Sequence, residues 1–367
     1  MIKFWLLLPI SLFLAFTLYQ IDLPGLHYDE AFEIVPAMQL LKGQPVNAFR
    51  ESALTLFSKE FPLMTQDYIG ALNTCGSVPF LLIGGATVAA LRSYAIAIGL
   101  LTLLLVYGFT TELSGRSLAG LAAVALLAVN PTFIFWTRQG IFVTAITSAI
   151  GAAAAWSWLR WQRRRDFRYA LLGAFLFGLG LYAKLLFVWL IAALFLALAL
   201  FNSKFKTCAE QSRSMQSIKL TTKNQKPETR NLKLIGLLLA GALGMWPLLV
   251  YNLQTGGTFK SVGQNSTTSY YGVDNFAVLS NLTTRIEQLI TLLDSGHFWY
   301  LGKVYSNPLL PLAFVLALIA ALWLAIRHKK TTGLIPFVVI GLVVLQSIIT
   351  VSALWITHFA LIMVWPA

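Results

Sequence analysis

Residues 88–111 read VAALRSYAIAIGLLTLLLVYGFTT, and this stretch decides the fold class. It contains a single charged side chain, Arg92, close to its beginning. A helix needs about 20 consecutive apolar residues to cross the hydrocarbon core of a bilayer, and this stretch is longer than that. We therefore predict a transmembrane helix here, with Arg92 near one end.

The composition of the whole chain agrees with a membrane protein. The 367 residues are 57% hydrophobic and 11% charged, whereas soluble domains carry roughly a quarter charged residues. This excludes an intrinsically disordered chain, a collagen, a disulfide scaffold and a nucleic-acid-binding domain, even though the net charge is +13. The sequence predicts an all-α polytopic membrane protein.

Apolar runs along the chain predict a bundle of about nine to ten transmembrane helices. The predicted spans are 4–20, 88–111, 118–135, 141–159, 169–183, 185–201, 234–251, 309–326 and 334–353, with a partial span from Phe359. Segment 69–90 is also apolar, but Asn73, Pro79 and Gly84-Gly85 make it a poor straight span. We expect it to be an interfacial or re-entrant helix. We also expect the protein to continue beyond Ala367, because the sequence stops inside an apolar run.

The distribution of basic residues predicts the orientation. With a cytoplasmic N-terminus, the inner segments hold 18 basic and four acidic residues, and the outer segments hold nine basic and ten acidic residues. Two long segments, 21–87 and 252–307, are then outer loops, and the basic segment 202–233 is a cytoplasmic loop. In the second outer loop, 276–293 is predicted to be an amphipathic helix. Aromatic residues elsewhere in this loop suit either an interfacial belt or stacking on a sugar. They are Tyr270, Tyr271, Trp299 and Tyr300.

The first outer loop contains the sequence HYDEAFE at 27–33. Apolar residues recur at helical spacing from Ala31 to Leu41, which predicts an amphipathic surface helix that Pro36 breaks in two. Asp29 lies at its beginning and has two interpretations. It is either the N-cap, with Glu30 and Glu33 complementing the helix dipole, or a carboxylate held in an apolar site as a general base.

An Asp-Glu pair a few residues into a long outer loop, between a first span and a surface helix, resembles the GT-C membrane glycosyltransferases. The likeness is greatest to the branch of protein O-mannosyltransferases and lipid A aminoarabinose transferases, with its bacterial members. Other stretches are similar along essentially the whole chain, namely PLMTQDYIGAL at 62–72, ALR at 90–92, TELSGR at 111–116, NPTFIFWTRQ at 130–139 and HFALIMVWP at 358–366. The resemblance implies a single GT-C-like transmembrane domain over 1–367.

The resemblance also implies a reaction and a set of site residues. Such enzymes transfer a sugar from a polyprenyl-phosphate carrier to a lipid, protein or polysaccharide acceptor on the outer, periplasmic face of the plasma membrane. Asp29 is then the general base of an inverting transfer, assisted by Glu30, and Asp67 and Tyr68 orient the substrates. Basic side chains at headgroup depth would hold the phosphate, and the candidates are Arg138, Lys184, Arg92 and His358. For Arg92 and Arg138 the alternative is that the side chain extends to the lipid headgroups without binding substrate.

No metal and no other cofactor is expected, because the four histidines are scattered along the sequence. Two other functions remain open. A transporter or flippase needs ionisable groups in the middle of its spans, and here nearly every acidic residue lies in a loop. In a non-catalytic scaffold the acidic cluster at 29–33 would be incidental.

Overall fold

The computed structural model describes residues 2–139, 144–197, 227–296 and 306–367, which are mostly helical. The helices are α1 (Ile2–Trp5), α2 (Leu7–Leu18), α3 (Tyr28–Lys42), α4 (Leu72–Gly84), α5 (Val88–Ser114), α6 (Ser117–Ala128), α7 (Pro131–Gln139), α8 (Thr144–Arg164), α9 (Phe167–Ala183), α10 (Phe187–Ala197), α11 (Pro227–Gly244), α12 (Trp246–Thr255), α13 (Gly257–Gln264), α14 (Val278–Asp294), α15 (Leu309–His328) and α16 (Ile335–Gln346). The strands are β1 (Ala53–Leu56), β2 (Lys59–Pro62), β3 (Met64–Gln66) and β4 (Ile69–Gly70).

Two helices in the described ranges, α5 and α15, are long and apolar enough to cross a membrane. The predicted spans at 118–135 and 234–251 are bent pairs of helices: α6 and α7 meet at 69°, and α11 and α12 at 70°. Each second helix starts around a proline, Pro131 or Pro247, which fits the first turn of a helix but cannot continue one. That each bent pair crosses the membrane as one span stays a prediction.

The remaining predicted spans correspond to shorter helices. α9 covers its predicted span at 169–183, whereas α2 and α16 are shorter than the predicted spans at 4–20 and 334–353. α8 and α10 lie in the predicted spans at 141–159 and 185–201, parts of which lie outside the described residues. The predicted partial span at Phe359 is instead a buried 3-10 turn, Ile356–Ile362. It packs against α8, where Ser148 Oγ donates a hydrogen bond of 2.9 Å to the carbonyl of Ala360. The total number of spans stays a prediction.

The central bundle is built on α5, α8 and α9. α5 packs against α6 and α8, and α9 packs against α8 and α11. The contact between α9 and α11 depends on glycine, because a Cβ at Gly178 would lie 2.0 Å from the carbonyl oxygen of Gly241. Small residues of this kind let two helix backbones approach closely inside a membrane.

The periphery of the bundle is apolar. Ala321 is the only residue of α15 that is buried, although the helix is almost entirely hydrophobic. An exposed apolar surface of this extent is unfavourable in water and is accommodated by lipid tails. The apolar helices and this surface support a membrane protein.

The first outer loop is a compact layer on the beginning of α5. α3 and α4 pack on each other and on that beginning through Ile34, Ala37, Leu81 and Leu91. The predicted break at Pro36 is wrong, since α3 continues from Tyr28 to Lys42. Burial of the helix face around Pro36 offsets the loss of one backbone hydrogen bond.

Two small antiparallel hairpins, β1–β2 and β3–β4, complete the first outer loop and were not predicted by the all-α class. Ala53 pairs with Pro62 in the first hairpin, and Met64 pairs with Gly70 in the second. In the second outer loop α14 confirms the predicted helix at 276–293, whereas residues 297–305 lie outside the described ranges. Most of the predicted cytoplasmic loop 202–233 also lies outside them.

Charged groups lie at both ends of α5. Arg92 is in its second turn, and Glu112 in its last turn accepts hydrogen bonds from Arg160 at 2.8 Å and Trp156 at 2.9 Å. Twenty residues of helix separate these two positions by about 30 Å, close to the thickness of a hydrocarbon core. The acidic first loop and the basic cluster around Arg160 therefore occupy opposite ends of the bundle.

Candidate functional site

The beginning of α3 is fixed by a capping box. His27 is the N-cap and its Nδ1 accepts a hydrogen bond from the backbone N–H of Asp29 at 3.2 Å, while the Glu30 carboxylate accepts one from the backbone N–H of His27 at 2.9 Å. The interpretation of Asp29 as the N-cap is therefore wrong. Asp29 lies in the first turn of the helix instead, where its side chain is not needed to end the helix.

Glu30 and Arg92 form a fully buried ion pair between α3 and α5. Nε and Nη2 of Arg92 each lie 3.0 Å from a carboxylate oxygen of Glu30. The same guanidinium donates to four carbonyls of the connector that leads from α2 to α3. The acceptors are Ile21, Leu23, Pro24 and Gly25.

This geometry contradicts the predicted roles of both residues. Arg92 has five N–H donors, and all of them face protein acceptors, so none is left for a lipid phosphate. The Glu30 carboxylate is likewise engaged by Arg92 and by the capping N–H. Both residues are positioning groups that hold the start of α3 against α5.

Asp29 is the most open of the three acidic side chains, with 16% of its side chain exposed. Its Oδ2 lies 3.2 Å from Nδ1 of His27, which can donate to this oxygen only when Nδ1 carries a proton and no longer accepts from the backbone N–H of Asp29. Burial raises the pKa of the Asp29 carboxyl above its ordinary value, opposed by the attraction of His27 and Lys184. A carboxylate with a raised pKa is a stronger base than one in water.

Lys184 lies in the connector between α9 and α10, and the first outer loop fixes its position. The N–H of Leu185 donates to the carbonyl of Tyr68 at 2.9 Å, and Lys184 forms a bridge with Ile69 of β4. Only 3% of Lys184 is exposed. Burial lowers the pKa of its ammonium to about 8, opposed by the attraction of Glu33 and Asp29. The charge of Lys184 thus acts on Asp29, and its predicted role in phosphate binding stays a prediction.

Glu33, one turn after Asp29 on α3, was not predicted as a site residue. It is buried, and burial raises the pKa of its carboxyl to about 8. Asp29 and Glu33 both line a small cavity of about 20 Å³, together with Asn73, Tyr94 and Gln139 among others. The signal in the sequence was the spacing of four residues, which places Asp29 and Glu33 on the same face of a helix.

Tyr68 and Asp67 are neighbours in sequence but face different parts of the structure. Tyr68 is half-buried and contacts Ser352 through its hydroxyl at 3.2 Å. Burial raises the pKa of the Tyr68 phenol, and the nearby charge of Asp29 adds to that rise. That Tyr68 orients the substrates stays a prediction.

Asp67 is held in a hydrogen-bond network between the first outer loop and α12. Arg50 donates to both of its carboxylate oxygens at 2.8 Å, and the Tyr251 hydroxyl donates at 2.5 Å. Thr258 adds a hydrogen bond of 2.7 Å to the backbone carbonyl of Asp67. The expectation that Asp67 orients a substrate is at odds with this arrangement, because its carboxylate is already engaged.

Arg138 also contacts the connector between α2 and α3. Its Nη2 donates to the carbonyls of Gln20 and Leu23, the latter at 2.8 Å. Its Nε has no hydrogen-bond partner among the described residues. Arg138 thus supports the same segment as Arg92 and keeps one buried donor available.

His358 and Arg285 bring unpaired polar atoms to the neighbourhood of Lys184, and Arg285 also brings a positive charge. His358 is 3% exposed, and its Nδ1 has no partner within the described part of the chain. Arg285 of α14 is fully buried beside the rings of Trp189 and Phe359, at 5.8 and 5.1 Å. Its Nη2 is also unpaired within those residues. The sequence prediction included His358 but not Arg285, because nothing local reveals that α14 reaches the bundle.

No group of three or more histidine, cysteine or acidic side chains among the described residues is arranged to hold a metal ion. That no metal or cofactor takes part stays a prediction.

Comparison with known proteins gives one match. Residues 79–213 match the family model of dolichyl-phosphate-mannose-protein mannosyltransferases, a segment that contains Arg92, Arg138 and Lys184. No curated protein and no solved structure matches the chain. The match confirms the resemblance seen in the sequence and supports a membrane glycosyltransferase of the GT-C type.

Proposed function

We propose that this chain transfers a sugar from a polyprenyl-phosphate carrier to an acceptor at the outer face of the plasma membrane, with inversion at the anomeric carbon. Asp29 is the general base. It takes the proton of the acceptor as the acceptor oxygen or nitrogen forms a bond to the anomeric carbon, and the bond from that carbon to the phosphate oxygen breaks. The observation that carries the proposal is the position of Asp29 beside the buried cation Lys184.

Asp29 fits the base better than its acidic neighbours. Glu30 is neutralised by Arg92, and Glu33 is buried more deeply. Asp29 is partly open, lies in the first turn of α3 and has a raised pKa. These properties suit a group that must meet an acceptor and take its proton.

Lys184 supports departure of the phosphate, because a preorganised cation stabilises charge that develops as the bond breaks. His358 and Arg285 lie within electrostatic range of each other, and Lys184 acts on His358 as well. Arg285 has no ion-pair partner among the described residues, so an anionic group beside it would stabilise its charge. We assign the phosphate of the carrier to this region, with Lys184 closest to Asp29.

A second observation concerns the acceptor side. A groove of about 520 Å³ runs along the outer side of α3, lined by Tyr28, Phe32, Pro36, Phe49 and Met64 among others. Tyr28 and Phe32 stack at 6.5 Å, and aromatic faces of this kind suit the apolar side of a sugar. Tyr28 adjoins Asp29 in sequence, so an acceptor in this groove would lie near the base.

The proposed orientation of the protein in the membrane rests on the distribution of its basic residues. The site lies at the end of α5 opposite Glu112 and the basic residues around it. Since basic residues accumulate on the cytoplasmic side, the end that carries Asp29 faces outward.

The test is complementation of a deletion strain, with the carrier lipids profiled by mass spectrometry. Deletion should cause a carrier-linked sugar to accumulate, and wild type should restore the normal profile. Asp29→Asn should insert normally but leave the accumulation in place, whereas the exposed Asp22→Asn in the same loop should restore it. Normal lipids with Asp29→Asn would refute the assignment of the base.

A further inference from the structure

The acidic cluster at the start of α3 contains more negative charge than its surroundings neutralise. Its three carboxyl groups belong to Asp29, Glu30 and Glu33. Among the described residues, the lysine and arginine side chains that face them are Arg92 and Lys184, and the imidazole of His27 lies beside Asp29. Arg92 is matched by Glu30 in a two-point ion pair. One ammonium, that of Lys184, therefore remains for two carboxyl groups.

A second ionised carboxylate in this place is costly. Glu33 is 8% exposed, and its side chain is hydrogen-bonded to Asn73. Removing an unpaired carboxylate from water costs several kcal/mol, and such groups bind a proton instead. Of the two acids, Glu33 is the more buried, so the proton belongs on Glu33.

The groups around Glu33 come from every element packed on it. They are Asp29 on α3, Asn73 on α4, Tyr94 on α5 and Lys184 in the connector after α9. The Tyr94 hydroxyl donates to Asn73 Oδ1 at 3.4 Å, and Thr74 donates to the backbone carbonyl of Glu33 at 3.0 Å. Only Lys184 among these groups favours ionisation of Glu33 through its charge, and Asp29 opposes it.

We propose that Glu33 is a positioning residue that works as a neutral carboxylic acid, so that the charge of Lys184 serves Asp29 and the phosphate of the donor rather than Glu33. This inference rests on the proposed function for its catalytic consequence but not for the protonation state itself. Ionisation of Glu33 would pair it with Lys184 and remove that cation from the reaction. Asp29 and Glu33 both line the small cavity, and the charge of Asp29 acts on Glu33.

The test follows the proton directly by infrared difference spectroscopy of the full-length protein in lipid nanodiscs. A neutral carboxylic acid has a carbonyl stretching band that a carboxylate lacks. We expect such a band at pH 7 and its disappearance with a midpoint near pH 8, the value to which burial raises the pKa of Glu33. ¹³C-labelled glutamate should shift the band, labelled aspartate should not, and Glu33→Gln should lack it.

Absence of the band at pH 7, or its persistence in Glu33→Gln, would overturn the inference. If Glu33→Gln does not fold, the labelled wild-type protein still tests the inference: a glutamate band at pH 7 with a midpoint near pH 8 has the value to which burial raises the pKa of Glu33. A glutamate band whose midpoint lies at the ordinary value for this side chain would also overturn the inference.

Sugar transfer provides the second readout. Glu33→Gln, a neutral isostere, should keep the transfer rate at pH 7 within about threefold of wild type because the amide retains the hydrogen bonds. Loss of transfer as complete as in Asp29→Asn would show that the neutral form is not the working one. Conversely, normal transfer by Asp29→Asn would reject the proposed function while the infrared result on Glu33 still stands.

Discussion

Arg92 and Glu30 are 62 residues apart in sequence, and their side chains meet in two N–O contacts of 3.0 Å with no exposure to solvent. The pair joins α3 to α5 and, through the remaining donors of Arg92, fixes the connector from Ile21 to Gly25. Asp29 adjoins Glu30, so this ion pair determines where the proposed base lies.

Removing one partner of this pair should destabilise the protein strongly. Glu30→Gln leaves the Arg92 guanidinium buried without its counter-ion, which typically costs about 3–5 kcal/mol. Thermal unfolding in detergent should show a large fall in Tm. The double substitution Glu30→Met with Arg92→Met should be milder, and the exposed Arg116→Met should have no effect. An unchanged Tm for Glu30→Gln would contradict a structural role for the pair.

The hydrogen-bond network around Asp67 should contribute to the stability of the fold rather than to sugar transfer. Tyr251→Phe removes one hydrogen bond and should cost about 1 kcal/mol. Asp67→Asn, which weakens the partly exposed contact with Arg50, should cost a similar amount, about 1 kcal/mol. A double-mutant cycle should show coupling between the two positions, because both hydrogen bonds end on one carboxylate. Sugar transfer per folded molecule should stay close to wild type in both variants. Abolished transfer at normal stability would instead support the original expectation that Asp67 acts on substrate.

Gly70 should be required for placement of Lys184. A Cβ at this position would lie 2.3 Å from the backbone oxygen of Tyr182, two residues before Lys184. Gly70→Ala must therefore push β4 away from the end of α9. A displacement on the order of 1 Å at a reacting group costs about a hundredfold in rate, so transfer should fall at least about tenfold. Gly263→Ala is the matched control, since its Cβ would meet nothing within 4 Å. Equal transfer by the two variants would show that the connector tolerates the shift.

The sequence predicted the parts of this structure that depend on local pattern. Long apolar runs predicted α5 and α15, and the spacing of apolar residues predicted α3 and α14, because helix geometry follows from neighbouring residues. The sequence also predicted that Arg92, Arg138 and Lys184 lie near one end of the bundle, because each is placed at the outer end of a predicted span. Pro131 and Pro247 mark the two bends in the sequence, since proline begins a helix but cannot continue one.

The groups that each charged side chain contacts could not be predicted from the sequence, because these contacts join segments that are distant in sequence. Nothing near Arg92 in sequence indicates that Glu30 and four carbonyls will occupy its donors. The same is true of Arg285, whose burial beside Trp189 requires α14 to pack on the bundle. Glu33 was overlooked for a different reason: its burial depends on α4 and Lys184, which only the folded chain brings together.

Binding of the donor should depend on pH through Lys184. Burial lowers the pKa of its ammonium from 10.5 to about 8, so the side chain loses its charge as the pH rises through about 8 rather than at strongly alkaline values. Affinity for an anion should therefore be highest below pH 8 and fall above it. A charge-assisted contact contributes about 1.5–3 kcal/mol, which corresponds to a loss of about 10- to 100-fold in Kd.

The measurement is the affinity of the purified protein for a polyprenyl phosphodiester, whose own charge is constant over this pH range. Lys184→Met should bind weakly at every pH and show no alkaline transition, and the exposed Lys59→Met should behave as wild type. Lys184→Arg should move the transition to higher pH, because a guanidinium keeps its charge. If Lys184→Met retained the wild-type affinity and the same pH dependence, the phosphate would have to be held by His358, Arg285 and Arg138 without Lys184.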